Sequence, residues 1–217
     1  EYTEDNVMRV AEGTARWMKK KNMQQAVIGF DCRFGGRMFT EATARVLAAH
    51  GIKVLMAPEF VSTPMVSLGV VKTISSIGIV ITASHNPPSY NGFKLKSSMG
   101  GPMIQKEVDE VESEIPDTFS TPLKSMEELL ASGAVAFVDL ETMYLDHVAA
   151  NFDLDAIRSA GISLAYDAMY GAGQNAMRKL FPNAALLHCD ENPGFHGQAP
   201  EPIHKNLREF SDFIKTH

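Results

Sequence analysis

Ile77-Gly78-Ile79-Val80-Ile81-Thr82-Ala83-Ser84-His85-Asn86-Pro87-Pro88-Ser89-Tyr90-Asn91-Gly92-Phe93-Lys94 is the stretch that decides the fold. Ile77 to Ile81 is apolar on both faces, the pattern of a strand covered on both sides in a mostly parallel sheet. The run then breaks into small polar residues, two prolines and an Asn-Gly pair. Pro87-Pro88 restricts the backbone and Asn91-Gly92 permits positive φ, so the connection can hold one shape. Residues 93–96 are expected to return antiparallel to the strand, which would start Lys94 at the sheet edge where Ser84 ended. In open α/β sheets, ligands collect beyond the carboxyl ends of the strands. A nucleophile and a cation facing one pocket would suit phosphoryl transfer, which depends on positioning and charge neutralisation. From composition alone, a stiff surface loop with a capping serine accounts for the same residues.

Outward from this stretch the chain alternates. Thr3 or Asp5 can cap a helix whose apolar stripe runs Val7, Val10, Thr14, Trp17 and Met18. Lys19-Lys20-Lys21 closes it, cations against the C-terminal dipole rather than a nucleic-acid patch. A strand is expected over 26–30, then a glycine-bearing loop over 31–37. A helix over 38–50 should end at Gly51 and a second strand should fill 52–56. Ser62-Thr63-Pro64 opens a short helix. Downstream, Ile104, Val108, Val111 and Ile115 have helical spacing, 116–122 reads as a linker, and Ser125 caps a short turn. A strand over 134–138 and a helix over 140–150, bridging to a new unit, follow. Strands over 162–166 and 186–189 alternate with helices over 175–180 and 203–214. The pattern predicts an α/β layered fold with a mostly parallel sheet, and a second unit that stops after two strands.

The 217 residues are 45% apolar and 21% charged, a globular mix that leaves no room for disorder or fibrous repeats. A net charge of −6 argues against a protein that coats nucleic acid. No apolar run approaches the ~18 residues of a membrane span. Cys32 and Cys189 are too few for a disulfide framework, which points to a reducing, cytoplasmic setting. Nothing in the sequence calls for an obligate protein partner. The opening Glu1-Tyr2-Thr3-Glu4-Asp5 lacks Met and is expected to be the start of a trimmed fragment.

Thr82-Ala83-Ser84-His85-Asn86-Pro87 followed by Asn91-Gly92-Phe93-Lys94 resembles the phosphoserine loop of the α-D-phosphohexomutases, the phosphoglucomutases, phosphomannomutases and phosphoglucosamine mutases. The resemblance extends to Tyr2-Thr3-Glu4 with Asn6-Val7, Gly29-Phe30-Asp31 with Arg33, and Thr63-Pro64. It continues in Tyr166-Asp167-Ala168-Met169 with Gly171 and Gly173, and in Pro200-Glu201-Pro202. It implies a layered α/β/α first domain with a mostly parallel mixed sheet over 1–151, and part of a second domain of the same type over 152–217. It implies that Ser84 carries a phosphoryl group and hands it to a hexose phosphate, giving a bisphosphorylated sugar that turns and returns its other phosphate. His85 is implied beside the transferring group and Lys94 as a cation near the reacting hydroxyl, with Asn86 and Arg33 as further substrate contacts. Mg²⁺ is implied, held by the phosphate on Ser84 and three aspartates of an Asp-Gly-Asp-x-Asp-Arg loop; hexose 1,6-bisphosphate is the implied activator and intermediate. Thr82-Ala83 before Ser84, and Pro87-Pro88 after it, look more like the glucose and mannose branch than the glucosamine branch.

Several rival constellations lose to this reading. Gly171-Ala172-Gly173-Gln174-Asn175-Ala176, with Asp190 downstream, fits the loose dinucleotide fingerprint, but Asp167 to Tyr170 separate it from its strand. His188, Cys189, Asp190, His196 and His204 match no structural zinc spacing. A Ser84–His85 hydrolase is set aside because neighbours in an extended chain point apart, and no Gly-x-Ser-x-Gly elbow exists. Asp31 and Arg33 read either as ligand contacts or, more simply, as an ion pair holding their loop. A non-catalytic sugar-phosphate binder on the same fold stays open as the alternative. The sequence contains no Asp-Gly-Asp-x-Asp-Arg loop, no glycine-serine-rich sugar loop and no C-terminal phosphate loop. The fragment by itself is therefore expected not to turn over substrate. A mutase rate measured on the purified piece, above any contaminant, would refute that.

Overall fold

The computed structural model describes residues 1–216. In chain order the first part holds α1 (Glu4–Lys20), β1 (Gln25–Phe30), α2 (Gly36–Ala49), β2 (Lys53–Met56), α3 (Thr63–Lys72) and β3 (Ile77–Ile81). It continues with β4 (Phe93–Lys96), α4 (Gln105–Glu112), α5 (Met126–Ser132), β5 (Val135–Phe137) and α6 (Leu140–Asn151). The second part holds α7 (Leu154–Ser159), β6 (Ala165–Asp167), α8 (Gln174–Leu180), β7 (Ala185–Leu187) and α9 (Arg208–Thr216). Among the described residues, no helix is long and apolar enough to cross a membrane.

Local chemistry starts the helices where the sequence places them. Thr3 caps α1, its hydroxyl accepting the Asn6 amide at 3.3 Å. Ser125 and Glu128 form a reciprocal capping box on α5, which satisfies two otherwise orphaned amides. Period-two alternation then separates two cores. Ala26 and Ile28 of β1, with Ile77, Ile79 and Ile81 of β3, pack on Trp17, Met18 and Leu47 of α1 and α2. Val27 and Val80 face the other way, onto Met65, Val66 and Val70 of α3 and Leu140 of α6. The result is a sheet of order β4-β3-β1-β2-β5, parallel except for β4, with helices on both faces.

The antiparallel return is present as expected, Ile81 facing Phe93 and Val80 facing Lys94. The helix expected to bridge to a new unit has a firmer place. Leu140 is buried and Tyr144 and Leu145 pack beside it on the α3 layer, so α6 completes the first unit. The second unit is a two-stranded parallel sheet, β6-β7, joined to the first through α6 and α8, where Lys179 pairs with Glu141.

Boundaries here depart from expectation. β6 starts at Ala165 rather than 162, because only Ala165 to Asp167 find ladder partners. β7 ends before His188, whose φ of 48° turns the chain out of the strand. α9 starts at Arg208 rather than 203, after a turn in which Leu207 bonds back to the Ile203 carbonyl. α7 was not expected at all; none of its residues is buried, so it leaves no apolar stripe to read. Leu140→Ala should cost about 2–5 kcal/mol, the usual range for truncating a buried leucine. Denaturant unfolding checks this, and a loss below about 1 kcal/mol would mean that α6 is not docked as described.

Candidate active site

The end of β3 delivers Ser84 through one short polar relay. The Asp31 amide, at the end of the neighbouring β1, bonds the Ile81 carbonyl at 3.1 Å. Thr82 donates its hydroxyl to Asp31 Oδ2 at 2.5 Å and accepts the Ser84 amide at 3.0 Å. Ser84 itself takes a φ of 56°, left-handed and costly for a residue with a Cβ. Its side chain is exposed rather than walled in, with Oγ 3.3 Å from His85 Nδ1. Burial pushes the Asp31 carboxyl up, against the Thr82 hydroxyl and Arg33, which hold it down.

Arg33 closes the loop from beneath. Nη1 donates to the carbonyls of Pro87 and Tyr90 at 2.8 and 3.1 Å, and Nη2 to those of Ser84 and Asn86 at 2.9 and 2.7 Å. Nε lies 3.3 Å from Asp31 Oδ2, an ion pair off the line of a hydrogen bond. The side chain is 1% exposed. Across the loop, a Cβ on Gly92 would meet the Thr82 carbonyl oxygen at 2.8 Å, so only glycine lets the returning chain approach. The Gly92 carbonyl accepts the Thr82 amide there at 3.0 Å.

The two units meet over Ser84. An open cavity of about 440 Å³ is lined by Ser84, His85 and Thr82 from the first unit and by Asp167, Met169 and Phe195 from the second. The Phe195 ring centroid lies 5.1 Å from Arg33 Cζ. Cys32 also lines the cavity, but burial and the charge of Asp31 push its thiol up to about 12, which removes it as a nucleophile near neutral pH. The carboxylates at hand are already engaged. Asp31 holds Thr82 and Arg33, while Asp167 accepts the Met169 amide at 2.8 Å and His188 Nδ1 at 2.9 Å. No three His, Cys, Asp or Glu side chains stand together as a metal site among the described residues. The residues of this chain thus do not fit a divalent cation at Ser84 by themselves.

The residues singled out from sequence are only partly brought together. Ser84 and His85 share the cavity. Lys94 does not line it: paired with Val80, it stands exposed on the α3 side of β4. Asn86 is exposed and gives its carbonyl to Arg33. The guanidinium expected at substrate is spent inside the loop instead. Ser84 and His85 do not point apart as extended neighbours would, because Ser84 is left-handed and its Oγ meets His85 Nδ1. A hydrolase dyad still lacks its third member, since no carboxylate bonds the His85 ring among the described residues.

Two family models match the chain in succession, the second beginning within α6. Residues 1–121 match the phosphoglucomutase/phosphomannomutase alpha/beta/alpha domain I, and residues 142–217 match domain II. The chain belongs to the phosphoglucomutase/phosphomannomutase family. It is 30% identical to a phosphoglucomutase of Neisseria gonorrhoeae over 99% of its length, covering 45% of that protein. It is 29% identical to a probable phosphoglucosamine mutase of Methanosphaera stadtmanae over its whole length, covering 47% of that protein. A crystal structure of a putative phosphomannomutase from Thermus thermophilus superposes with a TM-score of 0.88 at 30% identity, over 99% of this chain and 48% of that one. The chain therefore spans just under half the length of these relatives.

Within this family frame the rival features have packing explanations. A Cβ on Gly173 would strike the Tyr166 hydroxyl at 2.2 Å, so this glycine serves a close approach inside the second unit. His188 is held between Asp167 and Glu209, with Nε2 3.2 Å from Glu209 Oε2. Sequence reasoning missed Phe195, which follows Pro193-Gly194 in a turn and sits in no periodic run.

The His188 pair carries a pH signature. Burial lowers its affinity for a proton, but Asp167 and Glu209 outweigh that and raise the pKa above the ordinary 6.5. The charged pair therefore stabilises the second unit fully below about pH 6.5 and fades as pH rises through the raised value. Denaturation of wild type and His188→Asn between about pH 5 and 9 should show a stability difference that shrinks with rising pH. A difference that does not change with pH would exclude the pairing.

Proposed function

We propose that the intact protein is a phosphohexomutase that interconverts hexose 1-phosphate and hexose 6-phosphate, with Ser84 as the phosphoryl carrier. One observation carries the reading: an exposed serine held left-handed at the carboxyl rim of a central strand, facing a cavity between two α/β units. A strained, over-determined nucleophile is what a transfer site needs, because in-line geometry supplies most of the catalysis.

The step is a double displacement. The bond between Ser84 Oγ and phosphorus breaks as a sugar hydroxyl oxygen binds that phosphorus, and the hydroxyl proton passes through a base to the freed Ser84 Oγ. The bisphosphorylated sugar turns, its other phosphate returns to Ser84, and a proton goes back to the oxygen released. His85 is proposed to steady charge on the moving group, a role supported by the 3.3 Å approach of its Nδ1 to Ser84 Oγ. Lys94 stands outside the cavity, one residue inside the strand rim, and is proposed to swing in and meet the reacting hydroxyl when substrate is bound. Mg²⁺, proposed as the cofactor, would neutralise charge on the phosphate; no cluster of carboxylates to hold it stands among the described residues.

Glucose or mannose phosphate is the proposed substrate, glucose first, on the residues flanking Ser84. The named relatives include mutases of glucose, mannose and glucosamine phosphates, so the family alone does not choose. The test uses full-length protein incubated with hexose 1,6-bisphosphate and Mg²⁺. Intact mass should show one added phosphate, mapped to Ser84, and Ser84→Ala should lower transfer by at least about 10³-fold while hexose phosphate still binds. An unmodified Ser84 would favour a sugar-phosphate binder, and unchanged turnover in Ser84→Ala would remove this residue from the mechanism.

A further inference from the structure

The phosphoserine loop has almost no core of its own. Residues from Ser84 to Asn86 and Ser89 to Tyr90 are exposed, and two prolines donate no amide. Its internal backbone bonds are few: the Asn86 amide to the Ala83 carbonyl at 3.1 Å, and the Tyr90 amide to that of Pro87 at 3.0 Å. What remains are carbonyls that turn inward, and one guanidinium takes those of Ser84, Asn86, Pro87 and Tyr90 together. A planar fork can do this and a point-charge ammonium cannot.

Two further contacts fix the fork. Asp31, which also holds Thr82 and through it the Ser84 amide, faces Nε from within the first unit. Phe195 faces Cζ from the second unit, 3% exposed and held in a left-handed backbone. The ring lines the same cavity as Ser84. The loop's shape is thereby tied to the position of the neighbouring unit.

We propose that Arg33 is the positioning residue of the Ser84 loop, and that Phe195 seats it, so that docking of the second unit sets how the Ser84 hydroxyl is presented. Arg33 acts through the loop carbonyls and does not touch substrate. The inference rests on Ser84 being the phosphoryl carrier, and the experiment separates the two. In full-length protein, Arg33→Lys keeps the charge and loses the fork, while Phe195→Leu keeps an apolar side chain and loses the ring face. Arg33→Lys should lower kcat by about 10²-fold, the effect of a misplaced reacting group. KM should stay within about threefold. Phe195→Leu should lower kcat by about tenfold, and Phe195→Tyr should restore it. Amide hydrogen exchange at Ser84 to Asn86 and at Ser89 to Tyr90 should speed up by about tenfold in both damaged variants.

Three results would overturn the proposal. One is exchange and kcat like wild type in both variants. Another is a raised KM with unchanged kcat in Arg33→Lys, which would return Arg33 to substrate contact. The third is a Phe195→Tyr variant that fails to rescue. Failure of the carrier reading shows differently, as wild-type Ser84 that never acquires phosphate. The exchange comparison then still decides for or against the clamp.

Discussion

A guanidinium almost wholly removed from water persists only where each donor finds an oxygen and the charge finds a partner. Arg33 comes close to that condition: its two Nη atoms take four carbonyls of one loop, and Nε, without a hydrogen bond, faces the charge of Asp31 at 3.3 Å. The constraint works in both directions. Without the loop the cation would be stranded in the interior, and without the cation the carbonyls of Ser84, Asn86 and Tyr90 would lose the donor described for them. The segment after β1 and the segment after β3 therefore have to adopt their shapes together. Ser84 is exposed, yet its place is set by a buried charge.

The same site concentrates backbone strain. Ser84, Met169, Tyr170, His188, Phe195 and His196 all take positive φ, and none is glycine. All six border the cavity over Ser84 or a second cavity in the second unit that Met169, Tyr170, His188, Phe195 and His196 line. Each costs on the order of 1–3 kcal/mol unless its surroundings over-determine it. At Ser84 the surroundings are visible: the Thr82 hydroxyl on its amide and Arg33 on its carbonyl. The strain is thus tied to the residue that would carry the phosphoryl group, and it spreads into the unit that faces it.

Legibility from sequence followed period and punctuation. The strand Ile77–Ile81 and the antiparallel return at Phe93–Lys96 emerged in register, whereas the positive φ expected at Asn91-Gly92 is taken instead by Ser84. The capped helices at Thr3 and Ser125 emerged too, where one side chain accepts a defined amide. The second unit was harder. Its strands pair over three residues each, and α7 and α9 bury nothing among the described residues, so periodicity there is short or faces solvent. The left-handed residues were illegible because serine, tyrosine and phenylalanine give no hint of positive φ.

By itself the sequence determined the alternation of strands and helices, the family, and the serine at the end of a covered strand. These follow from local chemistry: apolar spacing, caps, prolines and an ordered set of short motifs. Only the tertiary structure decided what Arg33 does, since a guanidinium finds its partners 51 to 57 residues away and they are backbone atoms that no residue type marks. It also decided that Lys94 stands outside the cavity and that Phe195 stands within it, because both depend on how strand register and a second unit place side chains in space.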